Sequence, residues 1–161
     1  MRHDQRTTDG PDSKEIGMYT PEQSYELILL MLCIWREARG ETFEAKHAVG
    51  WVIRNRAMKP GKQWYGNDWE EVILKPWQFS SFNANDPNAA KFPLPTDPAF
   101  GACLLTAKHV YDGTFADNTD GSTFYFDDSM AANPPDWAKT LTSTVKIGRL
   151  NFFKEAPPLN S

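Results

Sequence analysis

The chain has 161 residues, a formal net charge of −4 and an isoelectric point near 5.4. This length is enough for one ordinary domain with its own hydrophobic core. An acidic chain without a basic run argues against nucleic acid as a partner, because phosphate binding needs a basic face. The longest apolar run, residues 27–35, has nine residues, about half of a membrane span, so we predict no membrane-spanning helix.

Residues 1–19 are polar and mixed in charge, which predicts a flexible N-terminal arm ahead of one domain over residues 20–161. The arm lacks the apolar stretch of a signal peptide. We therefore expect synthesis in the cytoplasm, followed by release or export if the substrate lies outside the cell. We also expect a monomer.

The first helix has a clear start signal. Thr20 is the predicted N-cap, Pro21 occupies the first helical position, and Gln23 completes a capping box. The helix should run to about Arg39 and stop at Gly40. Its centre is apolar on all sides, which is typical of a buried helix.

Two further helices are predicted from apolar spacing and caps. One begins at Thr42, carries apolar residues at helical spacing, and ends before Pro60. A short one is capped by Asp68 and runs through Leu74.

The second half of the chain is predicted to contain a long loop, one more helix and two β-rich runs. Residues 80–98 are rich in Asn, Asp, Pro and Phe and are predicted to form a long ordered loop, and a fourth helix then starts near Pro98 and reaches Tyr111. Residues 122–126 and 145–153 are β-rich runs that could pair as a small antiparallel ribbon. The predicted fold class is therefore mainly α with a small antiparallel β element, in one domain.

Glu37 is the strongest catalytic candidate. It shares a helical stripe with Cys33 and Ile34, so its carboxyl should project from the buried face near the helix end. Apolar surroundings and the C-terminal helix dipole both penalise the anion. We expect a raised pKa, in the range where a carboxylic acid can protonate a glycosidic oxygen at neutral pH. The alternative is a structural ion pair in which Arg36 or Arg39 neutralises Glu37.

Six short motifs follow one another between residues 36 and 153. They are R-E-A-R-G-E (36–41), A-V-G-W-V-I-R-N-R (48–56), Q-F-S (78–80), D-G-S-T-F-Y (120–125), P-D-W-A (135–138) and I-G-R-L-N-F-F (147–153). Together they resemble the cell-wall hydrolases of the SleB type, which include the spore-cortex lytic enzymes and their phage and bacterial relatives.

The resemblance implies a lysozyme-like α+β fold and cleavage of bacterial peptidoglycan glycan strands between N-acetylmuramic acid and N-acetylglucosamine. In that family the first Glu of E-A-R-G-E, here Glu37, is the catalytic acid/base. If Glu37 acts alone, the enzyme is a lytic transglycosylase that gives 1,6-anhydro-muropeptides without water, metal or cofactor. The alternative is hydrolysis with a second carboxylate, for which Glu41, Asp127 and Asp128 are candidates. A small enzyme of this kind suits a phage lysin.

Polar and aromatic residues inside the motifs are candidates for substrate binding, because they can hydrogen-bond N-acetyl and hydroxyl groups or stack on a sugar. These residues are Gln78, Phe79, Ser80, Thr123, Tyr125 and Trp137, with Trp77 as a further stacking candidate. A purely structural role in a turn, the sheet or the core is the alternative for each. Asn55 is predicted to be a buried polar brace.

One residue departs from the family motif. Leu150 stands where the family usually has His, and we expect it to pack in place of a structural brace.

The rival functions have weaker support in the sequence. A zinc amidase needs several placed ligands, whereas His47 and His109 are predicted to be surface or brace residues. Cys33 and Cys103 are predicted to be buried free thiols, which argues against a thiol peptidase. A wall-binding module on the same fold, with decayed catalysis, remains the non-enzymatic alternative.

Overall fold

The computed structural model describes residues 18–58, 63–75 and 78–156. The helices are α1 (Pro21–Ala38), α2 (Phe43–Met58), α3 (Trp69–Leu74) and α4 (Pro98–Asp112). The strands are β1 (Phe124–Asp127), β2 (Thr142–Ile147) and β3 (Leu150–Lys154). The mainly α architecture with a small antiparallel sheet confirms the fold class expected from the sequence.

Helix α1 forms the centre of the fold. Its capping box is present, because the Gln23 backbone N–H donates to Thr20 Oγ1 at 3.1 Å and the Thr20 N–H donates to Gln23 Oε1 at 3.0 Å. Leu30 and Ile34 in the middle of α1 are fully buried, and α2, α3 and α4 all pack against this helix. The last turn of α1 reaches a half-buried surface at Glu37.

Helices α2 and α4 approach each other closely. A Cβ on Gly50 would lie 2.8 Å from Val110 Cγ2, so a larger residue there would push the helices apart. His47 is fully buried, and its Nδ1–H donates to the carbonyl of Phe43 at 2.8 Å. Its Nε2 therefore accepts from His109 Nδ1 at 2.9 Å. Of the surface and brace roles predicted for these histidines, the structure shows the brace role.

The sheet corrects one expectation. The β-rich run over residues 145–153, expected to form one strand, folds back on itself at Gly148, whose φ is +57°. Glycine takes this left-handed conformation without steric cost, so it ends β2 and starts a tight turn into β3. The strand order is β1-β3-β2, with all neighbours antiparallel. Tyr125 of β1 lies opposite Phe152 of β3.

The loop between α3 and α4, predicted over residues 80–98, consists of successive turns that Arg36 holds in place. The Arg36 guanidinium donates to the carbonyl oxygens of Ser81 at 3.3 Å, Ala89 at 2.9 Å and Lys91 at 3.1 Å. Because Arg36 precedes Glu37, these bonds tie the loop to the end of α1 that carries Glu37.

The predicted arm falls mostly outside the described residues. Tyr19, its last residue, packs edge-on against Tyr111 and donates a hydrogen bond from its hydroxyl to Asp112 at 2.7 Å. Among the helices over residues 18–58, 63–75 and 78–156, none is long and apolar enough to cross a membrane.

Candidate active site

The Glu37 carboxyl lies between two hydroxyl donors from distant parts of the chain. Ser81 Oγ donates to Oε1 at 3.1 Å, and the Tyr125 hydroxyl donates to Oε2 at 3.1 Å. Ser81 comes from the short 3-10 helix over residues 80–82, and Tyr125 comes from the middle of β1. Within the described part of the chain, each carboxyl oxygen of Glu37 therefore has one hydrogen-bond donor.

The pKa of Glu37 is raised above the ordinary value of a carboxyl group, mainly because burial penalises the anion. The nearby negative charge of Asp86 raises it further. The hydrogen bonds from Ser81 and Tyr125 and the charge of Arg56 act in the opposite direction, because each favours the anion. The upward direction expected from the sequence is confirmed. Such a group keeps its proton to higher pH than a solvated carboxyl. After it loses the proton, the surrounding donors stabilise the anion.

The alternative ion pair is not formed among the described residues. Arg36 donates to loop carbonyls, as described above, and Arg39 Nη1 donates to the carbonyl oxygens of Trp35 at 3.3 Å and Arg36 at 3.4 Å within its own helix. The Arg39 guanidinium lies over the Trp35 ring, 4.5 Å from its centroid. Neither arginine neutralises Glu37.

A cleft of about 850 Å³ opens in front of Glu37, a volume in the range of small-ligand sites. One wall comes from α2, the 3-10 helix over residues 63–65 and the segment after α3, and the other comes from β1 and the segment that follows it. Its lining residues are Glu37, Arg56, Trp64, Tyr65, Lys75, Gln78, Phe79, Ser80, Phe124, Tyr125, Phe126, Asp127, Met130, Pro135 and Trp137. The lining thus combines two carboxyl groups, those of Glu37 and Asp127, with several aromatic rings and a few other polar groups, as a sugar site requires.

The structure brings five of the six predicted binding residues to this cleft, which are Gln78, Phe79, Ser80, Tyr125 and Trp137. Their contact with substrate stays a prediction. Thr123 is fully buried and lies behind the lining, where its carbonyl oxygen accepts a hydrogen bond from Arg56. Trp77 lies outside the described residues.

Trp137 packs within an aromatic group at the far wall of the cleft. Its ring centroid lies 5.0 Å from that of Phe124, 6.0 Å from that of Phe126 and 5.4 Å from that of Phe153. Trp137 is half-buried, so it combines the core role and the cleft-lining role that the sequence left as alternatives.

Arg56 is the main site residue that sequence reasoning missed. It is 7% exposed, and it donates to the Thr123 carbonyl and to Gln78 Oε1, each at 2.6 Å. Its guanidinium lies over the rings of Tyr65 and Phe79, both 5.2 Å from the centroid. The position of Arg56 on α2 could have indicated this role. Arg56 falls on the apolar stripe of the helix, and a cation that is buried there needs a polar partner.

Ser81 is the second missed residue. The motif pointed to Ser80, which is exposed and lines the cleft, whereas the adjacent Ser81 is buried and contacts Glu37. No local sequence signal separates these two serines, because the direction of each side chain depends on how the turn packs against α1.

The three candidate second carboxylates lie in different places. Asp127 lines the cleft, and its pKa is lowered by hydrogen bonds from Ser129 and by the positive charge of Arg149 at 3.0 Å. Asp128 forms an ion pair with Lys146 at 2.9 Å. Glu41 is not part of the described cleft lining, and its carboxyl lies beside the turn at Gly148. Asp127 is therefore the candidate best placed to act with Glu37.

The other predicted features are structural. Asn55 Nδ2 donates to Asp117 Oδ2 at 3.1 Å and to the Ser122 carbonyl at 3.0 Å, which confirms it as a brace. Leu150 is 3% exposed and packs in the core, as expected for a residue that replaces a structural brace. Cys33 and Cys103 are free and buried, as expected. Burial raises the pKa of the Cys103 thiol to about 11 and that of Cys33 well above its usual value.

The sequence profile of the Cell Wall Hydrolase family matches residues 40–153 of this chain. The match begins just after Glu37, so the placement of Glu37 rests on the geometry described above. No curated protein matches the chain significantly.

Two solved structures have a similar fold. The catalytic domain of the SleB protein from Bacillus cereus is 23% identical, with a TM-score of 0.62, and the alignment covers 86% of this chain and 94% of that domain. The catalytic domain of the germination-specific lytic transglycosylase SleB from Bacillus anthracis is 22% identical, with a TM-score of 0.64, and covers 86% and 99%. These similarities confirm the lysozyme-like α+β fold class. Because the family profile matches most of its length, the chain belongs to the cell wall hydrolase family and is an enzyme that cleaves the cell wall.

Proposed function

We propose that this enzyme cleaves the glycan strands of peptidoglycan between N-acetylmuramic acid and N-acetylglucosamine, as a lytic transglycosylase. The observation that carries the proposal is the Glu37 carboxyl, half-buried at the cleft wall, with a raised pKa and one hydroxyl donor on each oxygen. Membership of the cell wall hydrolase family supports the same substrate.

The chemistry needs only one proton carrier. Protonated Glu37 donates its proton to the glycosidic oxygen, the bond from that oxygen to C1 of the muramic acid breaks, and N-acetylglucosamine leaves with a free 4-hydroxyl. The 6-hydroxyl of the same muramic acid then attacks C1, and its proton returns to the Glu37 carboxylate. The product is a 1,6-anhydro sugar, and the enzyme is regenerated. Ser81 and Tyr125 stabilise the carboxylate between the two steps, because their hydroxyls donate to it.

Hydrolysis is the second candidate, and Asp127 is the observation that favours it. This carboxylate lines the cleft and its lowered pKa keeps it ionised at neutral pH, as a general base or nucleophile requires. Tyr125 and Asp127 are two residues apart on β1, so both side chains lie on the same face of the sheet.

Product analysis separates the two reactions. We expect digestion of purified peptidoglycan to release anhydro-muropeptides, detected by mass spectrometry, with the same yield in the presence of EDTA. Reducing muramic acid ends would instead identify a hydrolase, and freed stem peptides an amidase. Binding to peptidoglycan without any product would contradict both glycan-cleaving mechanisms and favour the wall-binding module.

Within this function, we propose that the enzyme is a phage lysin that reaches the wall after release from the cytoplasm. The support is that its motifs resemble a family with phage members. Expression inside a bacterium should then lyse the culture only when a membrane-permeabilising protein is made at the same time. Lysis by the enzyme alone would contradict this proposal.

A further inference from the structure

Trp64 differs from the other aromatic residues that line the cleft in the described part of the chain. Its side chain is 56% exposed, whereas Tyr65 and Phe79 are 3% exposed and the remaining aromatic lining residues are half-buried. Protein atoms therefore already cover most of the ring surface in the cleft. Trp64 presents a large apolar ring to the cleft, and covering it with a ligand is favourable.

The neighbouring Tyr65 fixes the position of this ring. Both residues belong to the 3-10 helix over residues 63–65, in which successive side chains point about 120° apart. Tyr65 points inward, where its hydroxyl donates to Glu155 and its ring centroid lies 6.0 Å from that of Phe124. The Trp64 ring rests against Tyr65, with centroids 5.5 Å apart. Trp64 is therefore positioned at the cleft before a ligand binds.

Trp64 lies apart from the group that performs the chemistry. Its ring contacts Tyr65, and the Tyr65 ring in turn lies 5.2 Å from the guanidinium of Arg56. The Glu37 carboxyl accepts its hydrogen bonds from the 3-10 helix over residues 80–82 and from β1, not from the helix that carries Trp64. A sugar that contacts Trp64 is therefore not the sugar whose bond Glu37 protonates.

A row of aromatic rings joins Trp64 to the opposite wall of the cleft. Neighbouring ring centroids are 5.5 Å apart from Trp64 to Tyr65, 6.0 Å from Tyr65 to Phe124, and 5.0 Å from Phe124 to Trp137. Trp64 is one end of this row and Trp137 is the other. A long ligand that crosses the cleft along the row reaches Trp64.

Building on the proposed function, we propose that Trp64 stacks on a further sugar of the same glycan strand, outside the pair joined by the cleaved bond. The substrate is a polymer, so the strand continues past this pair and has to leave the site along the cleft. The flat C–H face of a pyranose ring matches an indole ring in shape and polarity. The amide and carboxylate groups of a stem peptide match an apolar ring less well.

A split between KM and kcat tests the proposal. On glycan strands stripped of their stems by an amidase, we expect Trp64→Ala to raise KM about threefold to tenfold, the usual value of one aromatic contact, and to leave kcat unchanged. Trp64→Phe keeps a ring and should restore most of the loss. Phe92→Ala is the matched control, because Phe92 is 58% exposed and is not among the cleft-lining residues. Thermal unfolding of the three variants checks that they are folded.

Three results would overturn the proposal. A fall in kcat with unchanged KM would place Trp64 at the reacting sugars. A loss seen only on strands that keep their stems would assign Trp64 to the peptide. Wild-type kinetics of Trp64→Ala on both substrates would show that the ring contacts no part of the strand.

A binding measurement keeps the test independent of cleavage. In the Glu37→Gln protein, we expect the indole NMR signal of Trp64, assigned with Trp64→Phe, to shift on titration with a soluble hexamer of N-acetylglucosamine. Absence of a shift would refute sugar stacking at Trp64. A protein in which this signal shifts but which cleaves no glycan would fail only the proposed function.

Discussion

Replacing Glu37 by Gln is expected to lower the rate of glycan-strand cleavage by about 10²–10⁴-fold, the usual contribution of a general acid/base. Glutamine keeps the length and shape of the side chain and can still accept a hydrogen bond from Ser81 or Tyr125. It cannot donate a proton to the glycosidic oxygen or recover one from the 6-hydroxyl. The measurement is release of soluble muropeptides from purified peptidoglycan, with substrate in excess.

The matched control is Glu22→Gln in the first turn of the same helix. Glu22 is exposed and lies 15 residues before Glu37, about 22 Å along the helix axis. We expect this variant to cleave at the wild-type rate. Full activity of Glu37→Gln would refute the catalytic assignment.

Glu37→Gln should also test the raised pKa through stability. A carboxyl whose pKa is higher in the folded protein than in the unfolded chain favours folding at low pH, and this contribution is lost as the pH rises through the folded pKa. The wild type loses this contribution as the pH rises through the folded pKa, whereas glutamine has no charge to bury. We therefore expect the variant to be at least as stable as the wild type at pH values above the folded pKa and to lack this part of the pH dependence.

Replacing Arg56 by Met is expected to give the second large effect, on stability and on the pH profile together. The variant leaves the Thr123 carbonyl and Gln78 Oε1 without their donor at a buried site. We expect a loss of about 2–4 kcal/mol in the free energy of unfolding, measured by urea denaturation. The positive charge of Arg56 also lowers the pKa of Glu37. Without it that pKa rises further, so the alkaline limit of activity should move to higher pH.

Arg54→Met separates the two effects of Arg56. Arg54 lies on the same helix and also donates to backbone carbonyls, those of Val110 at 2.7 Å and Tyr111 at 2.9 Å, at part-buried positions on the α4 side. Its loss should destabilise the protein without moving the alkaline limit of activity. If Arg56→Met and Arg54→Met gave the same pH profile as the wild type, Arg56 would have no electrostatic role at Glu37.

Local signals were enough to predict the helices and the position of Glu37. The capping box of Thr20 and Gln23 acts between residues three apart, and it marks the start of α1 correctly. The apolar centre of α1 predicted a buried helix, and the spacing from Cys33 placed Glu37 on its buried face. Each of these patterns depends on the geometry of one helix, which the sequence alone determines.

The same reasoning was less successful for the sheet. The run over residues 145–153 has β-rich composition throughout, and composition does not show where a strand reverses. The reversal depends on Gly148 taking a positive φ. Such a conformation is open to glycine anywhere, so only pairing of β3 with both neighbours selects this turn.

The sequence by itself determined that a carboxyl group sits at the buried end of a hydrophobic helix, in a chain with the motifs of a cell wall hydrolase. Only the tertiary structure decided which groups surround it. Ser81 and Tyr125 reach Glu37 from 44 and 88 residues away along the chain. The cation whose charge lowers the pKa of Glu37 is Arg56, not the adjacent Arg36 or Arg39. Helix periodicity relates residues three and four apart, whereas these contacts depend on how the 80–98 loop and β1 pack against α1.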